Sequence, residues 1–264
     1  MSKLWYFEGP ELAHRRERKL PQTEMQLLVN LHDDELHCWT GDALASERRT
    51  QGAAVSGLYS SPIAIDTAEQ RRVVGAVLRP GAAPALFGVA ADELSSQHVA
   101  LDALWGAAGA GLRERLLDAE RPLQILAALD ASLTDRLAGR LGRCSPLARR
   151  SPSASIAFAS RALESGASVA SIAEELGWSG KRLRQLFSAA VGVTPKSYAR
   201  VARLQRVLAA VSVNPAQPWA DVAVEHGYYD QAHLILEFRS LTGLTPAAYR
   251  PRAAGDRNHV ILRA

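Results

Sequence analysis

The C-terminal part of this 264-residue chain contains the same short helical unit twice, and this repeat constrains the fold most strongly. Segment 173–178 aligns with segment 223–228, and each is followed by a Leu and a Phe at helical spacing. Each copy then ends on Gly-x-Thr-Pro-x-x-Tyr, at 192–198 and at 243–249. A helix, a glycine-containing turn and a second helix form the unit that places one helix in the major groove of DNA. We therefore expect two such units, which together could read two successive major-groove faces from one monomer.

The second helix of the first unit has one apolar and one polar face. Its apolar side chains, spaced for one face of a helix, are Leu183, Leu186, Phe187 and Ala190. The polar side chains on and beside the opposite face are Lys181, Arg182, Arg184, Gln185 and Ser188. Arg pairs with guanine and Gln with adenine in the major groove, so these residue types fit base reading. The alternative is an amphipathic helix with ordinary surface charge, and the repeat favours base reading over it.

The corresponding helix of the second unit has a more apolar outward face. Its inward side chains are Leu234, Phe238 and Leu241. Its outward and flanking side chains are Gln231, Ala232, His233, Ile235, Leu236 and Arg239. Apolar side chains can touch thymine methyl groups but offer no hydrogen-bond code. Ile235 and Leu236 therefore either contact thymine or pack against another part of this protein or a partner.

A helix expected over 194–212 joins the two units. At 1.5 Å per residue it would be about 28 Å long, close to the ~34 Å between successive major-groove faces. Arg200, Arg203 and Arg206 recur every three residues along it. They either face phosphate or are ordinary solvated charges.

These residues closely resemble the DNA-binding domain of the AraC/XylS family of bacterial transcription regulators, over about 154–251. The motifs that carry the resemblance are Ile172-Ala173 with Gly177, Leu183-x-x-x-Phe187, Gly192-x-Thr-Pro with Tyr198, Gly227-Tyr228, Leu234-x-x-x-Phe238, Gly243-x-Thr-Pro and Tyr249-Arg250. The resemblance implies two helix-turn-helix subdomains joined by a helix, promoter DNA as the ligand, and an N-terminal domain for sensing or dimerisation. Carried over by position, it implies DNA contacts from Lys181, Arg182, Arg184, Gln185, Gln231, Ala232, His233, Ile235 and Leu236. Many relatives have a basic residue at the position of Leu236, so this chain departs from the family there.

The N-terminal half is rich in short apolar segments that alternate with turn residues, which predicts strands. The expected strands are 26–31, 36–40, 52–59, 63–66 and 73–78. Asp33-Asp34 suggests a hairpin between the first two. Helical spacing follows at 101–117, with a Gly/Ala interruption at 106–111, and at 123–141, where Leu residues recur after Pro122. The fold class expected is therefore α+β: a strand-rich domain with packed helices, followed by an all-α domain.

Segments 21–31 and 77–81 of this half resemble, more weakly, the poorly characterised sensor domains of some AraC/XylS members. By analogy this implies a small β-barrel or cupin-like unit. We expect a sensor or dimerisation domain at 1–141, a linker at 142–153, a DNA-binding domain at 154–252 and a tail at 253–264. Residues 1–153 hold 18 Lys/Arg and 19 Asp/Glu, whereas 154–252 hold 11 and 7, so the basic excess lies with the repeat. A basic excess there is the electrostatic footprint expected for phosphate.

The function that we expect is sequence-specific transcription regulation rather than catalysis, with no cofactor. Expected partners are double-stranded promoter DNA, a small-molecule effector at the N-terminal domain, RNA polymerase and a second copy of the chain. No apolar run reaches the roughly 20 residues of a membrane span, and two cysteines cannot form a disulfide framework. We therefore expect no membrane association and a cytoplasmic location.

Two alternatives remain open from the sequence. In one, a cupin-like metal-binding or enzymatic domain carries a DNA-binding appendage, with His32, His37 and Cys38 as ligands. In the other, the protein is a constitutive regulator without effector that dimerises through helix 123–141. Five aromatic side chains of the N-terminal half could line a ligand pocket or form ordinary core: Trp5, Trp39, Tyr59, Phe87 and Trp105.

Overall fold

The computed structural model describes residues 3–141, 153–253 and 255–262. Within these ranges the protein has ten strands, which pair antiparallel in two five-stranded sheets. The strands are β1 Lys3–Glu8, β2 Arg16–Lys19, β3 Met25–Asn30, β4 Glu35–Thr40, β5 Ser46–Gln51, β6 Ala53–Ser56, β7 Ile63–Asp66, β8 Arg72–Leu78, β9 His98–Ala100 and β10 His259–Ile261. The first sheet has the order β1-β8-β3-β6-β9, and the second has the order β10-β2-β7-β4-β5. The expected α+β architecture is confirmed.

The hairpin expected at Asp33-Asp34 is wrong, because β3 and β4 lie in different sheets. The buried side chain of Asn30 turns the chain from one sheet to the other. Its Oδ1 accepts hydrogen bonds from the backbone N–H groups of His32 and Asp33, and its Nδ2 donates to the carbonyl of Glu35. An Asn that bonds to its neighbours' backbone in this way builds a turn that needs no strand pairing.

Four helices cover one face of the first sheet. They are α1 Ala83–Phe87, α2 Leu101–Trp105, α3 Ala107–Leu117 and α4 Pro122–Leu141. The helical stretch expected at 101–117 is broken at one residue, Gly106, whose φ of 62° lies in the left-handed region that favours glycine. On α4, Ile125, Leu129 and Leu133 are completely buried in the core of this half, whereas Leu123 is 80% exposed. The face of α4 that carries Ile125, Leu129 and Leu133 is therefore packed within the chain.

Six helices form the C-terminal part: α5 Ser153–Glu164, α6 Val169–Glu175, α7 Gly180–Val191, α8 Pro195–Val213, α9 Trp219–Glu225 and α10 Gln231–Thr242. Ser153, which the sequence placed in the linker, is the first residue of α5, and the rest of that linker lies outside the described residues. Every described helix is too short or too polar to cross a bilayer.

The two helical units pack directly on the strand-rich half. Leu58 lies in the core of the first unit, and Leu20 lies in the core of the second. The segment after the second unit also returns to the strands, because β10 pairs with β2. We call residues 250–262 the C-terminal segment. The sequence assigned most of it to a tail and did not predict its strand.

Candidate nucleic-acid interface and internal cavity

The first helix-turn-helix unit consists of α6, a turn at Gly177 and α7. Its buried side chains hold the two helices on α5 and α8, as the sequence pattern predicted. The rings of Phe187 and Tyr198 meet edge to face with their centres 5.3 Å apart, and the Tyr198 hydroxyl donates to the Glu164 carboxylate. These contacts fix the orientation of α7 relative to the rest of the protein.

The outward face of α7 carries three exposed candidate residues without intramolecular polar contacts. Lys181, Arg184 and Gln185 are exposed, and their side chains make no hydrogen bond or ion pair within the described chain. Arg182 is exposed and lies over the Trp178 ring, with Cζ 5.3 Å from the ring centre. Ser188 is half-buried. Because Lys181, Arg184 and Gln185 have no partner within the described residues, their side chains can contact base edges or phosphate.

Both outward-facing helices begin at a capped N-terminus. The Ser179 hydroxyl accepts from the N–H of Arg182 at 3.2 Å, and an Asp230 carboxylate oxygen accepts from the N–H of His233 at 2.7 Å. Caps of this kind satisfy a first-turn donor and fix where the helix starts.

The second unit consists of α9, a turn at Gly227 and α10. Leu234, Phe238 and Leu241 are buried, as the sequence predicted. The Phe238 ring lies between those of Trp219 and Tyr249, with centres 5.9 and 5.8 Å away. This unit therefore has an aromatic core of its own.

The outward face of α10 combines exposed and engaged side chains. Gln231, Ala232, Leu236 and Arg239 are exposed, whereas His233 and Ile235 are half-buried. His233 Nδ1 accepts from the N–H of Tyr229 at 3.3 Å, so this side chain has a structural contact at the helix start. Leu236 is 69% exposed and does not pack within the chain. Tyr229, 91% exposed just before α10, is an aromatic side chain on this surface that the sequence reasoning missed.

The arginines of α8 make contacts inside the protein. The Arg200 Nε donates to Glu237 at 2.7 Å and so joins α8 to α10. Arg203 lies over the Tyr228 ring, with Cζ 5.1 Å from the ring centre, and Arg206 donates to the backbone carbonyl of Glu164. They tie the connecting helix to α5 and to the second unit, which neither interpretation of their spacing anticipated.

A cavity of about 380 Å³ lies between the two sheets of the N-terminal half. It is lined by Trp5, Phe7, Lys19, Gln22, Gln26, Leu28, Leu36, His37, Cys38, Ile65, Asp66, Glu69, Gln70, Val73, His98, Arg252, Asp256 and His259. Gly75 makes room for one wall, because a Cβ at this position would lie 2.6 Å from the Trp5 ring. The last three lining residues belong to the C-terminal segment, so the segment that follows the second unit forms part of the cavity wall.

A buried carboxylate beside the cavity holds the C-terminal segment in place. Both Glu17 oxygens accept from Arg252 Nη1 at 3.0 Å, and one accepts from His259 Nδ1 at 2.9 Å. Burial alone raises the pKa of Glu17, but the hydrogen bonds and charges of His259, His14 and Arg252 outweigh it and lower the pKa to about 2. Glu17 is therefore ionised at neutral pH, and its negative charge is neutralised mainly from the C-terminal segment.

Of the residues considered as metal ligands, His37 is engaged elsewhere, Cys38 is buried and His32 is exposed. The backbone N–H of His37 donates to both Glu69 oxygens at 3.0 and 2.8 Å, and its ring contacts the same carboxylate. Burial raises the pKa of Glu69, and burial also raises the pKa of the Cys38 thiol. In the part of the chain that the structure describes, no group of three or more His, Cys, Asp or Glu could hold a metal ion.

Of the five aromatic residues proposed for a pocket, Trp5 lines the cavity. Phe87 and Trp105 stack in the helical core with ring centres 5.9 Å apart, and Trp39 and Tyr59 are buried in small clusters. Phe7, 42% exposed, lines the cavity and was not predicted.

Two families match separate parts of the chain. The family described as "Helix-turn-helix domain" matches residues 172–252, which contain both units. The family described as "Domain of unknown function (DUF6597)" matches residues 2–100, which contain strands β1 to β9. Among curated proteins, none matches the chain.

Several solved structures are similar to the chain at low identity. The C-terminal domain of AraT, a response regulator from Geobacillus stearothermophilus, is 22% identical over 41% of this chain and 86% of its own, with a TM-score of 0.32. ToxT from Vibrio cholerae O395 is 9% identical over 93% of this chain and 95% of its own, with a TM-score of 0.46. Wild-type ToxT from Vibrio cholerae strain SCE256, bound to an unsaturated fatty acid, is 8% identical over 93% of this chain and 92% of its own, with a TM-score of 0.43. Because these TM-scores are all below 0.5, the similarities support no conclusion about a ligand or a DNA site of this chain.

Proposed function

We propose that the chain is a DNA-binding transcriptional regulator with an AraC-type helix-turn-helix domain, and that a small-molecule effector controls its binding to promoter DNA. The effector site in this proposal is the cavity between the two sheets. A cytoplasmic location, where promoter DNA is found, is part of the same proposal, as are RNA polymerase and a second copy of the chain as partners.

The DNA surface in this proposal is formed by α7 and α10. Its residues are Lys181, Arg182, Arg184, Gln185, Ser188, Gln231, Ala232, His233, Ile235, Leu236 and Arg239. The exposed and unpaired side chains of Lys181, Arg184 and Gln185 support base or phosphate contacts by the first helix. The exposure of Leu236 supports a contact with a group outside the chain, such as a thymine methyl.

One observation carries the proposal of effector control. Arg252, Asp256 and His259 follow the second helix-turn-helix unit in the chain and line the cavity. A ligand there would touch a segment that is covalently continuous with the DNA-binding domain. A ligand can shift the equilibrium between a conformation that binds DNA and one that does not only if it makes different contacts in the two. The C-terminal segment is a place where those contacts could differ.

Further contacts connect the C-terminal segment and β2 to the second unit. The Tyr249 hydroxyl, whose ring packs on Phe238, donates to the carbonyl of Arg257 at 2.7 Å. Arg18 Nη1 on β2 donates to the carbonyl of Thr242, the last residue of α10, at 2.8 Å. These packed and hydrogen-bonded contacts form a continuous connection from the cavity wall to the outward helix.

The DNA part is tested by selecting bound duplexes from a random pool with the full chain. We expect a shared sequence and a protected region of about two DNA turns, or roughly 20 base pairs, because two units would read successive faces. A protected region of one turn would show that only one unit binds. No shared sequence would contradict specific binding.

The effector part is tested by screening small metabolites for a change in affinity for the selected duplex. Leu28→Trp fills the cavity and should abolish the response, whereas Leu123→Trp, on the exposed end of α4, should keep it. A response that survives Leu28→Trp would place the effector outside the cavity.

A further inference from the structure

We propose that the hydroxyl of Tyr229 donates a hydrogen bond to a backbone phosphate at the edge of the major groove that α10 enters. This inference rests on the proposed DNA-binding function and adds an anchoring contact for the second helix-turn-helix unit. It is carried by the place of Tyr229 in the repeat, by its exposure, and by the lack of Lys and Arg at the start of α10.

Tyr229 is the one residue that the second unit adds to the turn of the first. Trp178 of the first unit corresponds to Tyr228 of the second. The helix caps Ser179 and Asp230 correspond in the same way. In the first unit the cap follows the aromatic residue directly, whereas in the second unit Tyr229 stands between them. The added residue therefore lies immediately before α10, outside the set of buried residues that the two units share.

The backbone of Tyr229 is held by its neighbours, while its side chain is free. The N–H of Tyr229 donates to His233 Nδ1 at 3.3 Å, and the N–H of His233 donates to the Asp230 carboxylate at 2.7 Å. The buried ring of Tyr228 meets the His233 ring edge to face, with the ring centres 5.4 Å apart. Tyr229 is 91% exposed, and its hydroxyl has no hydrogen-bond partner within the described residues. Because the backbone is already fixed, binding through this side chain costs less conformational entropy.

The start of α10 offers little positive charge to the DNA backbone. The first two turns of α7 carry Lys181, Arg182 and Arg184. In contrast, α10 has neither Lys nor Arg before Arg239, which lies in its last turn. Contacts between the start of α10 and phosphate therefore have to come from neutral donors. A phenol hydroxyl is such a donor, and Tyr is among the side chains that bind phosphate oxygens in protein–DNA complexes.

The position of Tyr229 favours a phosphate over a base. In helix-turn-helix complexes the N-terminal residues of the second helix reach base edges, while the first helix crosses the DNA backbone. Tyr229 lies between the two helices, so its side chain is on the backbone side of this boundary. Stacking of the ring on a base would need an unstacked base, as in single-stranded nucleic acid, and paired duplex does not offer one.

The test compares wild type, Tyr229→Phe and Tyr229→Ala as full chains, on the selected duplex and on random duplex. Tyr229→Phe keeps the exposed ring and should leave the melting temperature unchanged. We expect it to weaken binding to both duplexes roughly tenfold, because a hydrogen bond to a charged group is lost and a phosphate contact does not depend on base sequence. Tyr6→Phe removes the same group from β1, away from both outward helices, and should keep the wild-type affinity. Unchanged affinity of Tyr229→Phe would overturn the inference, and a loss confined to Tyr229→Ala would assign the contact to the ring.

Two further measurements identify the group on the DNA. Single phosphates of the selected duplex are replaced in turn by neutral methylphosphonates. We expect at least one position at which the replacement weakens wild type roughly tenfold and leaves Tyr229→Phe unchanged. Because the phenol carries no charge, Tyr229→Phe should keep the wild-type salt dependence, whereas Lys181→Met should reduce the salt slope by about 1. A scan in which every replacement affects the two proteins equally, or a shallower salt dependence in Tyr229→Phe, would contradict the inference.

The two duplexes separate this inference from the proposed function. If Tyr229→Phe weakens binding to random duplex and no sequence is preferred, the phosphate contact stands and sequence-specific regulation fails. If wild type prefers the selected duplex and Tyr229→Phe binds both duplexes equally well as wild type, the regulator stands and the phosphate contact fails. Wild type that binds neither duplex would refute both.

Discussion

The carboxylate of Glu17 binds the guanidinium of Arg252 across 235 residues of chain, with both carboxylate oxygens 3.0 Å from Nη1. One residue lies on a strand of the N-terminal half, and the other follows the second helix-turn-helix unit. This pair connects the wall of the cavity to the C-terminal segment. Because the Glu17 side chain is completely buried, loss of this contact should lower the stability of the fold. It should also weaken the connection between the cavity and the second helix-turn-helix unit.

Glu17→Gln should lower the free energy of unfolding by about 3 kcal/mol, because Arg252 loses one of its two carboxylate partners and the loss is at a completely buried side chain. Urea unfolding of the full chain measures this. Glu47→Gln is the matched control: Glu47 is exposed and 3.4 Å from Arg49, so its loss should cost roughly 0–1 kcal/mol. Equal effects of the two variants would contradict the structural role of Glu17.

The pH dependence of stability should show the low pKa of Glu17. Since the pKa is about 2 in the folded protein and 4.5 ordinarily, the contribution of Glu17 is fully present above about pH 4.5. It is lost as the pH falls toward 2, and its size is about 3 kcal/mol. The difference in unfolding free energy between wild type and Glu17→Gln should therefore shrink between pH 5 and pH 3. A difference that grows on acidification would have the wrong sign.

Gly243→Ala should destabilise the protein more than Gly227→Ala. Both glycines have left-handed backbone, with φ of 68° and 73°, so both substitutions cost about 1 kcal/mol in strain. A Cβ at 243 would also lie 2.7 Å from Arg18 Nη1, whereas a Cβ at 227 meets nothing. Displacing Arg18 from the carbonyl of Thr242 should add about 1 kcal/mol. Identical unfolding free energies would show that this contact does not hold the second unit.

Arg184→Ala should weaken binding to the selected duplex by about 1–3 kcal/mol and relax specificity at one base position. Binding to duplexes varied one base pair at a time measures this. Arg121→Ala removes the same charge from an exposed position of the N-terminal half and should preserve the base preferences. A loss spread evenly over all sequences would assign Arg184 to phosphate instead.

Leu236→Ala should cost less than Arg184→Ala, because an apolar contact carries no hydrogen-bonded discrimination. If Leu236 touches a thymine methyl, replacing that thymine by uracil should weaken wild type and leave Leu236→Ala unchanged. A large base-selective loss that does not depend on the methyl group would show that α10 reads DNA in another way.

Local patterns predicted the C-terminal helices well, because each helix has its own start and stop signals. Ser179 and Asp230 cap α7 and α10 and are residue types that favour this position, and the buried Leu and Phe of each unit follow from helical spacing. The contacts of Arg200 could not be predicted in this way. They depend on a partner 37 residues away on α10, and spacing along one helix carries no information about that partner.

The strand-rich half was less predictable for the same reason. Five expected strands were found, but β1, β2, β5, β9 and β10 were not predicted. Of these, β2, β5, β9 and β10 are short or polar, and such strands resemble loops in a single sequence. The apolar run of β1 could have predicted a strand. The strand at His259–Ile261 forms because it pairs with β2, which is distant in the sequence, so local patterns could not predict it. The cavity follows from that pairing, so its charged wall could not be derived from sequence. Asn30 could have indicated a turn without strand pairing, because an Asn side chain often hydrogen-bonds to the backbone of the following residues.

The most direct test of the account is the affinity of the full chain for its selected duplex relative to random duplex, measured across a salt series. We expect a preference of roughly a thousandfold at physiological salt, with affinity that falls steeply as salt rises. Equal affinity for the two duplexes at every salt concentration would contradict it.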